Sequence, residues 1–362
     1  MSILIFILVL LLLVLVHEFG HFIVAKRAGI RVDEFAFGFP PRLFSKKWGE
    51  TNYAFNALPI GGYVKIYGEN PDDVAEGGDV VRSFAHKPRY IQALVIIAGI
   101  VCNIILAWLL IAGTLMIGIS APVDPASYAV TNAELTVTDI QVGSPAGIAG
   151  LLPGDQIVSL MSGGETVTPI GPEGVSSFIG PREGSEVIVA YKRNGEDRSI
   201  VVVPKSGIVE GRAAIGISMD MVGILKLPLH KALWMGAQRT YDYTILTAQG
   251  LFVFFRDALI GKGDFTQVTG PVGMVQAVGT AAGMGFSHLL LFTALISINL
   301  AVINVLPFPA LDGGRLLFVI IEAIMRKPIP AAIANRFNVV GFALLMLLML
   351  AVTWHDISRL MH

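Results

Sequence analysis

Charged residues are scarce in this 362-residue chain, and their scarcity bears directly on the class of protein. Asp, Glu, Lys and Arg make up 15% of the sequence, whereas soluble domains usually carry about 25%. The 26 basic residues balance the 27 acidic ones, so no excess of positive charge indicates binding to nucleic acid. The single cysteine, Cys102, excludes a disulfide framework within the chain. With 54% hydrophobic residues, the composition predicts a membrane protein.

Long apolar runs are abundant, and each of four could supply the roughly 20 residues of a transmembrane helix. Residues 3–16 contain no polar side chain. No basic stretch precedes this run and no small-residue cleavage site follows it, so we expect a retained helix rather than a secretory signal peptide. The four predicted spans are residues 1–25, 91–119, 286–306 and 337–354.

The distribution of basic residues predicts the orientation of these spans. The loop at 26–90 holds ten Lys or Arg, whereas the much longer segment 120–285 holds eleven. Because basic residues in short loops stay on the cytoplasmic side, the first loop is predicted to be cytoplasmic. Both termini and residues 120–285 are then expected on the opposite, outer side of the membrane.

The segments between the spans differ in their residue patterns. Residues 127–220 contain short β-branched runs separated by Gly, Pro and Asn turns, which predict a small, mostly β domain. Residues 228–285 show apolar side chains every four positions near their start, which predicts amphipathic helices on the membrane surface. Residues 52–68 alternate around a Pro-Ile-Gly-Gly turn and predict a β-hairpin.

The sequence HEFGH, residues 17–21, places three ionisable side chains in the first span. His17 and His21 are four residues apart, so on a helix both imidazoles project from one face. Such a pair can bind one Zn²⁺, while Glu18 can reach a water at the metal. Two helix histidines satisfied by neighbouring polar groups are the alternative, but they would need partners that are rare in an apolar span.

A catalytic zinc usually has three protein ligands, so a third ligand is expected elsewhere. In residues 299–315 an apolar run is broken by Pro307 and Pro309 and followed by Asp312 and two glycines. Irregular backbone at membrane depth is tolerated where protein buries it or water reaches it, and a carboxylate there is a functional candidate. Asp312 can supply the missing ligand. Alternatively, it is only the N-cap of a helix.

These motifs in this order resemble those of the bacterial site-2 proteases, which are intramembrane zinc metalloproteases. The resemblance rests on HEFGH, on NVLPFPALDGG at 304–314 and on the inserted β domain, and it covers nearly the whole chain. It implies that His17, His21 and Asp312 bind zinc and that Glu18 is the general base. It also implies that Asn304 orients the substrate or stabilises the oxyanion.

The resemblance further implies where a substrate binds. Residues 52–68 would form a re-entrant hairpin on the cytoplasmic side, whose edge at Gly62, Tyr63 and Val64 holds an unwound substrate by β-augmentation. The inserted domain resembles a PDZ domain, with Ile215, Gly216 and Ile217 in its peptide-binding loop. Asn103, in the motif GIVCN, could hydrogen-bond near the site, although simple helix packing is an equal alternative.

The predicted protein is therefore a four-span intramembrane zinc endopeptidase with an extracytoplasmic PDZ-like insert. Its expected substrates are single-span membrane proteins, such as anti-sigma factors already trimmed by an upstream site-1 protease, and signal-peptide remnants. Membrane lipid is an expected partner and nucleic acid is not. The alternatives are an inactive membrane scaffold that presents its PDZ domain and a metal transporter.

Overall fold

The structure, a computed structural model, describes residues 1–69, 79–122, 131–169, 171–193, 195–209, 211–261 and 269–361. It divides into two compact units. The first comprises Met1–Met116 and Pro228–His362, and the second comprises Ile117–Leu227. The second unit includes the predicted domain at 127–220 and extends beyond it at both ends.

The first unit is mostly helical. In the described part of the chain, four helices are long and apolar enough to cross a membrane, at Ser2–Arg27, Arg89–Ile117, Phe286–Val305 and Ala332–Ser358. They fall in the four predicted apolar runs. The helices of this unit are α1 (Ser2–Arg27), α2 (Arg89–Ile117), α5 (Leu229–Leu259), α6 (Pro271–Gly283), α7 (Phe286–Val305), α8 (Asp312–Met325) and α9 (Ala331–Met361).

Small residues allow α1 and α2 to pack closely. A Cβ atom added at Gly20 of α1 would lie 2.4 Å from the carbonyl oxygen of Ala98 on α2. Only glycine permits this approach, since backbone on the facing helix cannot yield as a flexible side chain can. The close packing brings the histidine-bearing turn of α1 directly against α2.

The described part of the predicted amphipathic region, residues 228–261 and 269–285, contains two helices, and both pack against spans. Near the start of α5, the indole N–H of Trp108 on α2 donates to the carbonyl of Leu233 at 2.8 Å. Val278 of α6 is fully buried against Val9 and Leu13 of α1. These contacts place α5 and α6 against the helical body. Their predicted position at a membrane surface stays a prediction.

The pairing predicted within residues 52–68 is wrong. Residues 51–66 form one strand, β2 (Thr51–Ile66), which pairs with β1 (Val32–Trp48) instead of folding on itself. Residues 34–37 of β1 pair with 62–65 on one side and with 52–55 on the other. The alternating pattern in β2 identified a strand but not its partner, because β1 lies outside the segment considered.

The second unit is mostly β. Its described strands are β3 (Ile119–Pro122), β4 (Thr131–Ile140), β5 (Gln156–Ser162), β6 (Glu165–Val167), β7 (Val187–Arg193), β8 (Glu196–Val202), β9 (Lys205–Val209), β10 (Arg212–Ala214) and β11 (Ile217–Leu225). The main sheet has the strand order β3-β11-β4-β5-β7-β8, with β6 paired to β5, and β9 and β10 form a separate pair. The described part of the unit also contains two short helices, α3 (Pro145–Ala149) and α4 (Pro172–Ile179).

A buried carboxylate ties together the turn before β5 and the end of β7. Asp155 is 1% exposed and accepts from Arg193 at 2.7 Å on each of its two oxygens. It also accepts from the backbone N–H of Leu152 at 2.8 Å. A buried charge is tolerated when it is paired and hydrogen-bonded in this way.

Candidate metal centre and active site

Helix α1 places His17 and His21 one turn apart, and both are 8% exposed. The Nδ1 atom of His21 lies 2.8 Å from the backbone carbonyl oxygen of Val95. Since a carbonyl only accepts, Nδ1 carries the proton, and the Nε2 atom of the neutral ring presents a lone pair. The His21 tautomer is therefore the one that a metal ligand requires.

His17 is oriented by Asn103, which is fully buried on α2. The Asn103 side-chain nitrogen lies 3.2 Å from His17 Nδ1, while its Oδ1 atom is buried without a partner. Turning the amide by 180° lets Oδ1 accept from a protonated Nδ1 and satisfies both groups. The His17 Nε2 atom then also presents a lone pair. Asn103 thus contacts a histidine ring, a specific role that its motif alone did not distinguish from helix packing.

Asp312 reaches the histidines from a tightly wound turn between α7 and α8. Leu311 occupies the N-cap position and Asp312 is the first residue of α8, so the interpretation of Asp312 as a helix cap is wrong. Cβ atoms at Gly313 and Gly314 would lie 2.2 Å from the carbonyl oxygens of Leu306 and Phe308. Two glycines are therefore needed after the aspartate, because the preceding turn lies directly over the start of α8.

Three ligand atoms converge at this point. The Asp312 Oδ2 atom lies 2.9 Å from His17 Nε2 and 3.2 Å from His21 Nε2, and the two Nε2 atoms are 3.2 Å apart. In the described part of the chain, these residues form the one group of His, Cys, Asp and Glu side chains arranged to hold a metal ion. Ligands of a tetrahedral Zn²⁺ lie about 3.3–3.5 Å from one another, so a slight expansion would fit zinc.

The electrostatics of this triangle favour a cation. With both histidines protonated at Nδ1, two Nε2 lone pairs face a carboxylate oxygen that is buried and has no hydrogen-bond donor. Three acceptors within hydrogen-bond distance repel one another unless a positive charge lies between them. A His₂Asp set is also a normal catalytic zinc site, with a fourth position open.

Glu18 lines a cavity of about 70 Å³ together with His21 and Asp312. This volume holds about two water molecules. Val64, on β2, lines the same cavity as Glu18. A Cβ atom at Gly62 would lie 3.9 Å from Glu18 Cγ. Two of the three predicted hairpin residues therefore lie beside Glu18.

Tyr63 has a different role from its neighbours in β2. Its hydroxyl donates to Glu34 at 2.8 Å, and Arg42 donates to both oxygens of the same carboxylate at 2.6 and 2.8 Å. Burial, followed by the Glu34 contact, raises the pKa of the Tyr63 phenol. Because side chains alternate along a strand, anchoring Tyr63 to β1 holds Gly62 and Val64 towards α1.

The remaining predicted residues are Asn304 on α7 and three residues of the second unit. Asn304 is half-buried in the last turn of α7, and its catalytic role stays a prediction. Ile215, Gly216 and Ile217 belong to the second unit, where they line a cavity of about 110 Å³ beside α4. Ile215 is 2% exposed and is part of the core of that unit.

Two charged residues near the site were not identified from the sequence. Glu69 and Arg315 form an ion pair, and both line the cavity that contains Glu18. Arg315 lies three residues after Asp312, so helical spacing could have placed it on the same face. Glu69 carries no such signal, since it lies in an irregular segment after β2.

The site is a metallopeptidase centre within a helical membrane body. It combines two histidines one helical turn apart with a carboxylate from a distant part of the sequence and a glutamate next to the first histidine. The family model "Peptidase family M50" matches residues 5–348. The chain therefore belongs to peptidase family M50 and is a zinc metalloprotease.

Curated relatives match nearly end to end. The zinc metalloprotease RasP of Oceanobacillus iheyensis is 32% identical, covering 98% of both chains. RasP of Geobacillus kaustophilus is 31% identical, covering 99% of this chain and 98% of the relative. The solved PDZ domain of the SdrC-like protein from Listeria monocytogenes covers 25% of this chain and 93% of its own length at 21% identity. Its TM-score of 0.22 is too low to establish a shared fold.

Proposed function

We propose that this zinc metalloprotease hydrolyses peptide bonds within the transmembrane segments of single-span membrane proteins. The observation that carries the proposal is the position of the site. His17, Glu18 and His21 lie on α1, a helix with mean hydropathy 2.8 over its most apolar window, and Asn103 lies on α2, at 2.9. Polar groups are costly at such a position unless they act there.

The residues of the chain divide the chemistry among them. Zn²⁺ bound by His17, His21 and Asp312 would polarise the scissile carbonyl and lower the pKa of a water towards about 7. Glu18 would accept the proton of the attacking water and pass it to the leaving amine. Asn103 and the Val95 carbonyl hold the two imidazoles in the tautomer that leaves Nε2 free.

We place the substrate along β2. A transmembrane helix must unwind before its peptide bonds can be reached, and an extended segment can pair with a strand. Gly62 and Val64 lie beside Glu18, so a substrate strand bound there would present its backbone to the site. Asn304 is proposed to orient that substrate or to stabilise the oxyanion.

The proposed substrates are trimmed anti-sigma factors and signal-peptide remnants in the bacterial cytoplasmic membrane. We propose that residues 120–285 and both termini lie outside and residues 26–90 inside, as the basic residues predict. An upstream protease would trim each substrate first, and the second unit, proposed to be a PDZ domain, would restrict access to the site.

The test uses the purified full chain, loaded with zinc and reconstituted in vesicles. A model protein with one apolar segment of about 20 residues is added, and mass spectrometry locates the cut. Cleavage within the apolar segment is the expected result. If cuts fall only in soluble flanking sequence, the chain is a protease of the membrane surface and the proposal fails.

A further inference from the structure

A larger cavity adjoins the active site. It has a volume of about 610 Å³ and lies among α2, α8 and α9, with Gln92, Phe318 and Asn338 in its wall. It shares four lining residues with the small cavity that contains Glu18 and Asp312, namely Glu69, Phe84, Ile96 and Arg315. The boundary between the two spaces is therefore made of two apolar side chains and one ion pair.

The wall of the small cavity contains more acidic than basic side chains. Its wall includes three carboxylates, those of Glu18, Glu69 and Asp312, and Arg315 is its one Lys or Arg. A divalent zinc and one guanidinium balance three carboxylates. Any further anion formed in this space leaves it with an excess of negative charge, which is costly where water is scarce.

Hydrolysis creates such an anion. The C–N bond of the peptide breaks, the carbonyl carbon gains the oxygen of water, and the leaving nitrogen takes a proton. The new carboxylic acid then gives its proton to the leaving amine, so that one product ends in a carboxylate and the other in an ammonium group. Arg315 is the donor that can receive this group, because guanidinium binds carboxylates through two parallel hydrogen bonds. It is already held by a carboxylate, that of Glu69.

We propose that Arg315 binds the carboxylate end of the newly cut product by exchanging it for Glu69, and that the product leaves through the 610 Å³ cavity. This inference rests on the proposed function, since it assumes a peptide cut at Glu18. Exchange of one carboxylate for another keeps Arg315 paired throughout. It also separates Glu69 from Arg315, which opens the boundary between the two cavities.

The walls of the larger cavity suit such a product. Apolar side chains, Phe318, Val339 and Phe342 among them, can contact the side chains of a cut transmembrane segment. Arg89, which lines this larger cavity only, is paired with Glu322 at 2.7 Å, and the buried Gln92 amide donates to backbone carbonyls at 2.8 and 3.2 Å.

The experiment measures product binding without turnover. Zinc-loaded Glu18→Gln enzyme in detergent is titrated with two fluorescent peptides that match the N-terminal product of a model substrate. One peptide ends in a free carboxylate and the other in an amide. We expect the carboxylate peptide to bind about tenfold more tightly, as a charge-assisted hydrogen bond implies.

Further substitutions in the Glu18→Gln enzyme identify the residue that causes the preference for the carboxylate peptide. Arg315→Gln is expected to bind both peptides equally, and Glu69→Gln to bind the carboxylate peptide more tightly, because the competing carboxylate is gone. Arg89→Gln is the matched control, since it removes an ion pair of the larger cavity only, and should keep the preference. Zinc content and thermal unfolding of each variant establish folding.

The proposal is overturned if Arg315→Gln still binds the carboxylate peptide more tightly than the amide peptide. It is also overturned if Arg89→Gln loses this preference while Arg315→Gln keeps it. Where Arg315→Gln does not fold, Arg315→Lys serves instead, and it should retain a weaker preference. Because binding is measured in a variant that does not cleave, failure of the membrane-substrate assay would show separately in that assay.

Discussion

A Cβ atom placed on Gly99 would lie 2.4 Å from the Nε2 atom of His21. Gly99 lies on the side of α2 that packs against α1, next to the ligand atoms of His17 and His21. The same Cβ would lie 2.9 Å from Cε1 of His17. This glycine therefore serves the metal centre itself as well as the packing of two helices.

Gly99→Ala should disturb zinc binding more than folding. The added methyl group displaces the His21 ring from its position beside Asp312, so we expect zinc affinity to fall about tenfold or more. Metal content after dialysis against a chelator measures this effect. Gly113→Ala on the same helix is the control, because no atom lies within 4 Å of its added Cβ. Equal zinc retention in the two variants would refute the assignment.

Glu18→Gln should retain zinc and lose cleavage. The three ligands remain while the proton acceptor is gone, so we expect a rate loss of about 10²–10⁴. His17→Ala and Asp312→Ala should lose both zinc and activity. Metal analysis beside a cleavage assay separates the two groups. Wild-type cleavage by Glu18→Gln would remove Glu18 from the mechanism.

Asn103→Leu tests the orientation of His17. The substitution keeps approximate side-chain volume but removes the hydrogen bond to Nδ1, and outer partners of metal ligands are typically worth 10–100-fold in affinity. Competition with a chromogenic zinc chelator gives the dissociation constant. Ser297→Ala is the control, since Ser297 donates to the Asn103 backbone carbonyl at 2.8 Å and leaves the amide in place. Similar losses in both variants would indicate a packing effect.

Asp155→Ala should destabilise the second unit and leave the metal centre intact. We expect a cost of about 1–3 kcal/mol, because the substitution removes the charge-assisted hydrogen bonds to Arg193 and leaves the Leu152 N–H without its acceptor. Hydrogen exchange of amides in Ile117–Leu227 measures local stability. We expect faster exchange there and unchanged zinc content. Glu196→Ala removes an exposed pair with Arg198 and should have little effect.

Replacing Ile117–Leu227 with a short flexible linker should allow cleavage of untrimmed substrates, if this unit restricts access by size. Removing the whole unit avoids leaving β3 or β11 with unpaired edges.

The alternative is that the second unit binds the free carboxylate of a trimmed substrate. In that case Ile217→Ala should reduce cleavage of trimmed substrate. Ile215 is unsuitable for this comparison because it is a core residue. Cleavage of trimmed and untrimmed substrate at equal rates by the wild type would exclude the size filter.

Local pattern was sufficient for some parts of the molecule. The apolar runs predicted the four long apolar helices of the first unit, since a span needs a certain length of apolar sequence. The four-residue spacing of His17 and His21 placed both imidazoles on one face, because a helix repeats every 3.6 residues. Short β-branched runs predicted the β character of the second unit.

Local sequence patterns could not predict the contacts between segments that are far apart in the chain. The residues of β2 were assigned to a hairpin because the alternation within 52–68 carries no information about β1. Asn103 and His17 are separated by 86 positions, and no periodicity links them. The same holds for Glu69 and Arg315, whose pairing depends on how α8 packs beside the end of β2.

The sequence by itself determined the membrane-spanning character of the chain, the histidine pair with its glutamate, and the candidate third ligand at Asp312. Each follows from composition or from a short repeat along one element. The tertiary structure alone decided the tautomers of the histidines, the need for glycine at position 99 and the position of β2 beside Glu18. These depend on side chains brought together by packing, and packing is a property of the folded chain as a whole.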